Sequence, residues 1–223
     1  MTKILTKEHR KYLNGRGIND ESIDRFGLFS EAGSIGIPAG SGYTRIYSPG
    51  GSPKIKWSAP LAGSDILPPF PSWDLLRTAD LIVEGEFDCI VAIQNGLKAV
   101  TGTAGAGTFL YEWADALAGP VVLLYDNDEA GSRGSRNAAR LLHSRGVNVS
   151  IAKWPRGTPR GFDVTDYFNS DGTSDGLRRI IDEAKPYDPY EDEIAPSAFG
   201  EIYADLDDDP IIPTGFQNID NII

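Results

Sequence analysis

Short apolar runs alternate with longer amphipathic segments in the second half of the chain. Each run is apolar on both faces, as in strands buried within a parallel sheet, and a segment with helical spacing follows it. The successive pairs are LIVEG with FDCIVAIQNG, KAVTGT with TFLYEWADALAG, and VVLLYDND with SRNAARLLHSRG, before a last run, VSIAKWP. From Ala79 onward the sequence therefore predicts an α/β fold with an open, mainly parallel sheet and flanking helices.

The first part of the chain has a different pattern and predicts a small α+β subdomain over residues 1–78. Thr6 precedes one amphipathic segment, and Asn19 or Asp20 opens a second, so two short capped helices are expected. Residues 33–73 then contain short β-like pieces separated by Gly, Pro and Ser. The Pro-rich stretch LPPFPSW predicts a connector between the two parts.

Charge is concentrated at the end of the chain. The formal net charge of the 223 residues is −11, yet residues 186–223 contain ten acidic residues and no Lys or Arg. Residues 1–185 are therefore almost neutral, and the acidic total does not exclude a nucleic-acid partner. The acidic segment is punctuated by Pro and predicts a linker or docking tail after a domain that ends near residue 185.

Cysteine and histidine are too scarce for several kinds of site. Cys89 is the only cysteine and there are two histidines, which excludes an intramolecular disulfide and a Cys/His structural zinc site within the chain. We therefore expect a reducing, intracellular setting. No apolar run has the length of a membrane span, and the first residues lack the apolar core of a signal peptide, so no membrane partner is expected.

Acidic residues follow two of the predicted strands directly. Glu84 ends the first run, with Asp88 four residues later, and Asp126 and Asp128 end the third run. Ligands collect outside the carboxyl ends of the strands in an open parallel sheet, and adjacent strands lie roughly 4.8 Å apart. Carboxylates that close repel one another unless cations intervene, and oxygen ligands favour Mg²⁺ or Mn²⁺, as a pair of ions in phosphoryl transfer. The alternative is that these residues are solvated turns and helix caps.

Two further features are less specific. The loop TGTAGAG has enough glycine to bring backbone N–H groups close to a phosphate, but a plain turn explains it equally well. Arg133, Arg136 and Arg140 form one stripe on the helix after DNDEAG, which either faces nucleic acid or is an ordinary solvated helix face.

The strand ends resemble those of the Toprim domain, which is shared by bacterial-type primases, topoisomerases and some nucleases. The resemblance rests on E-G-x-x-D after the first strand, TGT after the second and D-x-D with A-G after the third. Segments outside this core are most similar to primases, above all to phage and plasmid primase-helicases. These segments are YLNGRGINDESIDRFGL, RIYSPGGSPKIKWSAP, GFDVTDYF and IIPTGFQNIDNII, the last of which resembles the lead-in to a RecA-like helicase domain.

The resemblance implies roles for individual residues. Glu84, Asp126 and Asp128 correspond to the catalytic carboxylates, and all three are also expected to bind metal. Asp88 and Asp163, the latter together with Asp166, correspond to acidic positions that help to hold a second ion. Basic residues that the resemblance or the helix stripe assigns to nucleotide and DNA binding are Arg45, Lys54, Lys56, Arg133 and Arg136.

The function implied is that of a DNA primase core in DNA replication. Such a core makes short RNA primers on single-stranded DNA from ribonucleoside triphosphates with two Mg²⁺ or Mn²⁺ ions. The expected partner is a helicase domain, in the same polypeptide or in another, and the expected location is the cytoplasm of a bacterial or phage-infected cell. The chain has no zinc-binding module, so we expect template-sequence recognition to be either absent or supplied by another chain or a missing segment. Without a G-x-x-x-x-G-K-[ST] motif, it is not expected to hydrolyse ATP in the helicase manner. The alternatives are a Toprim nuclease or nicking enzyme and a catalytically weak, DNA-binding scaffold of a replicative helicase.

Overall fold

Two β-sheets form the framework of the protein, one antiparallel and one mainly parallel. The computed structural model describes residues 4–39, 42–51, 55–57, 66–102 and 109–191. The chain divides into two units, Met1–Tyr187 and Asp188–Ile223, and the helices and strands given below lie in the first.

Two capped helices open the chain, as the sequence predicts. Helix α1 spans Lys7–Gly15, and the Thr6 side chain accepts a hydrogen bond from the backbone N–H of His9. Helix α2 spans Asp20–Arg25 and is capped in the same way by Asn19. Both caps satisfy backbone donors that the first helical turn leaves without a partner.

The antiparallel sheet has four strands in chain order. Its strands are β1 (Phe29–Glu31), β2 (Ser34–Pro38), β3 (Thr44–Tyr47) and β4 (Ile55–Trp57). The sequence predicts three of them but not β1, which is short and has a single apolar residue, Phe29. Ala32 and Gly33 join β1 to β2 with φ angles of +48° and +77°, the left-handed conformation of a two-residue hairpin turn.

The mainly parallel sheet has the order β6-β5-β7-β8-β9, in which only the edge strand β9 is antiparallel to its neighbour. Its elements and their helices are α3 (Trp73–Thr78), β5 (Leu81–Val83), α4 (Glu86–Gln94), β6 (Ala99–Thr101), α5 (Tyr111–Ala116), β7 (Val121–Leu124), α6 (Glu129–Ser144), β8 (Val149–Ile151), α7 (Val164–Asn169), α8 (Ser174–Asp182) and β9 (Lys185–Pro186). The predicted α/β fold class is therefore confirmed. Helix α3 begins inside the stretch expected to be a connector, and neither α8 nor β9 was predicted.

Strand β5 lies between β6 and β7, so the chain leaves β5 toward one edge of the sheet and later returns to its other side. This is a topological switch point, where an open sheet leaves a crevice at the carboxyl ends of its strands. Val83 of β5 is in register with Leu124 of β7. The residues that follow these two strands are consequently brought together at the crevice.

The core consists of two apolar clusters. One contains Leu13 of α1, Ile35 of β2 and Ile90 of α4. The other contains Trp113 of α5 and Leu142 of α6. The antiparallel sheet thus shares a cluster with α4, while the division of this unit at residues 78 and 79 stays a prediction. None of the described helices combines the length and apolar character that a membrane span needs.

Candidate functional site

A cavity of about 460 Å³ opens at the switch point between β5 and β7. Six carboxylates and two arginines are among its lining residues: Glu84, Glu86, Asp88, Asp126, Asp163, Asp166, Arg16 and Arg45. The β5–β7 pairing makes the first and third strands of the sheet adjacent, which is the condition for their terminal carboxylates to meet. It is this pairing that collects acidic residues far apart in sequence.

Glu84 follows β5 directly and reaches across to the end of β7. Its Oε2 atom accepts a hydrogen bond from the backbone N–H of Asp126 at 3.2 Å. Burial raises the pKa of Glu84, and the nearby charges of Asp128 and Asp163 raise it further, against the effect of that hydrogen bond. Glu84 is therefore a carboxylate that is costly to keep charged without a neighbouring cation.

The pKa of Asp126 is raised more strongly than that of an ordinary aspartate. Burial, followed by the charges of Asp88, Glu84 and Asp163, raises the pKa of Asp126 to about 8. The backbone around it is tightly enclosed, because a Cβ atom at Gly131 would lie far inside van der Waals contact with the Asp126 carbonyl oxygen. Asp126 is thus fixed in position, in surroundings that favour its protonated, neutral form.

Asp88 lies in the first turn of α4 and is buried. Its Oδ1 atom accepts hydrogen bonds from the Thr165 hydroxyl at 2.7 Å and from the Thr165 backbone N–H at 3.1 Å. Burial and the charge of Asp163 raise the pKa of Asp88 to about 7. These contacts join α4 to α7 and place Asp88 beside the acidic segment GFDVTDYF.

Asp163 caps α7 and also faces the N-terminal part of the chain. Its Oδ1 atom accepts a hydrogen bond from the Asp166 backbone N–H at 2.6 Å, and its Oδ2 atom lies 3.5 Å from Nη2 of Arg16. Burial raises the pKa of Asp163. The Nε atom of Arg16 is buried without a hydrogen-bond partner among the described residues.

Asn127 organises the loop that carries Asp163. Its side-chain amide donates to the carbonyl oxygens of Thr158 and Pro159, both at 2.9 Å, and its backbone N–H donates to the carbonyl of Phe162. The sequence analysis assigned Asn127 no role. Its position between two predicted ligands was the available signal, but its partners lie 31 and 32 residues away and no local pattern indicates them.

Asp128 lies apart from the other predicted ligands. Its carboxylate caps α6 by accepting a hydrogen bond from the Gly131 backbone N–H at 2.8 Å. It lines a second cavity of about 250 Å³, which Asp126 also borders. The structure therefore brings Glu84, Asp88, Asp126 and Asp163 to one cavity and places Asp128 at its edge, and the roles of all five stay predictions.

The predicted basic residues are spread over several elements. Arg45 is buried on β3, and its Nε atom lies 2.8 Å from Oε1 of Glu86, a residue to which the sequence analysis gave no role. Lys56 is exposed on β4, whereas Lys54 lies outside the described residues. Arg133 and Arg136 are exposed on α6, and Arg133 lies 3.6 Å from Glu129.

Two other predicted features also lie outside the described part of the chain. They are residues 103–107 of the glycine-dense loop and residues 192–223 of the acidic segment.

The donor set at the cavity has the chemistry of a site for hard cations. All the candidate ligands are carboxylates, and at least three of them have pKa values raised by burial and mutual repulsion. Within the described ranges, however, no three His, Cys, Asp or Glu side chains are arranged as a ready-made metal site. The carboxylates are the type of ligand that Mg²⁺ or Mn²⁺ prefers, although their side chains do not already surround a common point.

Comparison with known proteins finds sequence similarity in the parallel-sheet part of the chain. Residues 81–168 match the family described as Toprim-like. A DNA primase of Aquifex aeolicus is 31% identical over 107 residues, which is 47% of this chain and 20% of that protein. A DNA primase of Chlamydia pneumoniae is 28% identical over 110 residues, which is 48% of this chain and 18% of that protein. The match thus spans about a fifth of the length of these relatives.

The fold comparison reaches beyond this segment. The crystal structure of the Aquifex aeolicus primase, with its zinc-binding and RNA polymerase domains, matches with a TM-score of 0.67 at 19% identity. The match covers 88% of this chain and 60% of that structure, so the shared fold extends beyond the parallel-sheet part. Residues 81–168 thus match the Toprim-like family, and the chain shares its fold with a solved primase structure.

Proposed function

We propose that this chain is the catalytic core of a DNA primase, which joins ribonucleotides into short RNA primers on a single-stranded DNA template. The observation that carries the proposal is the group of carboxylates at the β5–β7 switch point, where Glu84 contacts the Asp126 backbone. The Toprim-like family match and the primase relatives support the same reading.

Divalent ions are part of this proposal. Glu84, Asp88, Asp126, Asp128 and Asp163 would hold two Mg²⁺ or Mn²⁺ ions. When bound, the ions supply positive charge that offsets the carboxylates and the triphosphate of the incoming nucleotide. The raised pKa values of Glu84 and Asp126 support this assignment, because a bound cation offsets the burial and the carboxylate repulsion that raise them.

The side chains around the cavity have separate tasks in nucleotidyl transfer. Glu84 is suited to accept the proton of the primer 3′-hydroxyl, since burial raises its pKa above that of an exposed carboxyl. The hydroxyl oxygen then bonds to the α-phosphorus while pyrophosphate leaves. Arg45, Lys54 and Lys56 bind the triphosphate and the template, and Arg133 and Arg136 contact the nucleic acid outside the cavity.

The proposal extends to the setting of the protein. We assign the chain to a primase-helicase of a phage or mobile element that acts in the cytoplasm of a bacterial or phage-infected cell. The support is the segment IIPTGFQNIDNII, which resembles the lead-in to a RecA-like helicase domain and lies outside the described residues. A helicase domain in the same polypeptide or a partner helicase is the implied partner.

Incorporation of radiolabelled ribonucleotides on single-stranded DNA tests the proposal directly. With Mg²⁺ or Mn²⁺ present, we expect Glu84→Gln and Asp126→Asn to lower the rate by roughly a hundredfold or more, because each removes a charge at the reacting centre. Glu31→Gln and Asp171→Asn are matched controls, since both residues are exposed and neither lines the cavity. Full activity in either site variant would contradict the mechanism.

The products separate this proposal from its alternatives. A primase extends a chain from ribonucleoside triphosphates, whereas a Toprim nuclease or nicking enzyme shortens or nicks the DNA. A scaffold binds DNA and yields neither product. Cleavage without extension, or binding without either reaction, would overturn the proposed function.

A further inference from the structure

A buried ion pair joins the antiparallel sheet to the Toprim-like domain. The Nε atom of Arg45, on β3, lies 2.8 Å from Oε1 of Glu86, the first residue of α4. The two side chains are only 7% and 8% exposed. The partners are 41 residues apart in sequence, and tertiary packing brings β3 and the start of α4 to the same cavity.

Stability alone does not explain why both charged side chains are buried. Removing two charges from water costs several kcal/mol per ion, and a buried pair is often no more stabilising than apolar residues of similar volume. Ile37 and Phe87 line the same cavity with apolar side chains, so an apolar pair would suit the packing. The pair therefore points to a task for the Arg45 guanidinium.

Glu86 determines how that guanidinium is oriented. A guanidinium is planar, and its donors have fixed directions, so a short hydrogen bond at Nε restricts the whole group. Both residues line the cavity that contains Glu84 and Asp126. An arginine held in this way presents a preorganised cation beside the carboxylates, where the phosphates of a nucleotide would lie.

We propose that Glu86 is a positioning residue, which holds Arg45 in the orientation that binds the triphosphate of the incoming nucleotide. This rests on the proposed function, which supplies the nucleoside triphosphate as ligand. Glu86 itself contacts no reacting atom and acts only through Arg45. Its effect is therefore on nucleotide affinity rather than on the rate of the chemical step.

The test measures ATP binding by titration calorimetry with Mg²⁺, and primer synthesis in parallel. Glu86→Gln keeps the shape of the side chain but removes its charge, and we expect the affinity for ATP to fall about tenfold. The rate at saturating ATP should stay within about twofold of wild type. Asp115→Asn is the matched control, because it breaks an exposed pair with Arg145, at 2.6 Å, and should change neither quantity.

A double-mutant cycle distinguishes positioning from a purely structural role. In the Arg45→Met background Glu86 has lost its partner, so adding Glu86→Gln should raise the melting temperature without changing the affinity for ATP. If Glu86→Gln alone lowers the melting temperature and leaves the affinity unchanged, the contact is only structural and the inference is overturned.

The same measurements separate this inference from the proposed function. A wild-type chain that binds ATP but makes no primer would contradict the proposed function alone. A wild-type chain that binds no ATP would contradict the positioning role, and a Glu86→Gln variant with wild-type affinity would contradict it while leaving primer synthesis intact.

Discussion

Asp126 shows how one buried carboxyl responds to several charged neighbours. Its pKa of about 8 means that the folded, metal-free protein retains a proton that the unfolded chain releases near pH 4. The folded state then binds more protons than the unfolded state between these values. The free energy of unfolding should therefore fall as the pH rises from about 4 to about 8.

We predict that Asp126→Asn stabilises the metal-free protein at pH 8, because the amide removes a charge from a repulsive cluster. In the presence of EDTA, the melting temperature should exceed that of wild type by about 2–4 °C. At pH 5, where Asp126 of the wild type holds its proton, the difference should disappear. The test is a thermal melt by circular dichroism at both pH values.

Asp171→Asn serves as the control for this measurement, since Asp171 is exposed and does not line the cavity. Added Mg²⁺ should reverse the order at pH 8, because the wild type has the additional ligand. A variant that is less stable than wild type at pH 8 in EDTA would show that repulsion does not control the Asp126 carboxyl.

At the scale of an element, the start of α6 determines where Asp126 lies. The helix begins one residue after its cap, Asp128, and Gly131 in its first turn lies against the Asp126 backbone. Only a residue without a Cβ atom allows this approach. The A-G that follows D-x-D in the sequence is thus required by packing.

We predict that Gly131→Ala destabilises the protein by about 1–3 kcal/mol, the usual cost of forcing an extra carbon into a filled space. The displacement of Asp126 should also reduce primer synthesis more than the loss of stability explains. Urea denaturation and ribonucleotide incorporation, measured on the same preparation, check the two effects.

Gly15→Ala is the matched helical control. Gly15 ends α1, and a Cβ atom there would meet nothing within 4 Å. This change should be neutral or slightly stabilising, since alanine has the higher helix propensity. Equal effects of the two substitutions would mean that the Gly131 contact has no special importance.

For the molecule as a whole, the shared apolar cluster couples the N-terminal elements to α4. Ile35 of β2 and Ile90 of α4 are both fully buried in it. Elements that share a core are expected to unfold together. The first unit should consequently behave as one cooperative body, even though its two sheets have different architectures.

We predict that Ile35→Ala lowers the free energy of unfolding by about 2–5 kcal/mol and also speeds amide hydrogen exchange in α4. Hydrogen exchange with mass spectrometry locates the effect. Ile4→Ala, at a side chain that is 72% exposed, is the control and should change neither quantity. Faster exchange confined to β1–β4 would indicate that the two parts unfold independently.

Much of the fold followed from the sequence because its signals are local. Buried runs such as LIV and VVLL and the caps Thr6 and Asn19 depend on a few neighbouring residues. Strand β1, helix α8 and strand β9 were missed for the opposite reason. Strands β1 and β9 are short, and β9 exists only through its pairing with β8. Helix α8 has a cap, Thr173, but this residue follows a run of turn-forming residues that obscures where the helix begins.

The features of the candidate site also divide into those with a local sequence signal and those without one. The sequence by itself determined that carboxylates end the first and third strands, and their resemblance to Toprim motifs indicated the family. Only the tertiary structure decided that Asp128 caps a helix at the edge of the cavity, that Asn127 anchors the Asp163 loop, and that Glu86 holds Arg45. The last two contacts join segments 31 to 41 residues apart, and such pairings are determined by how elements pack, which periodicity along the chain does not encode.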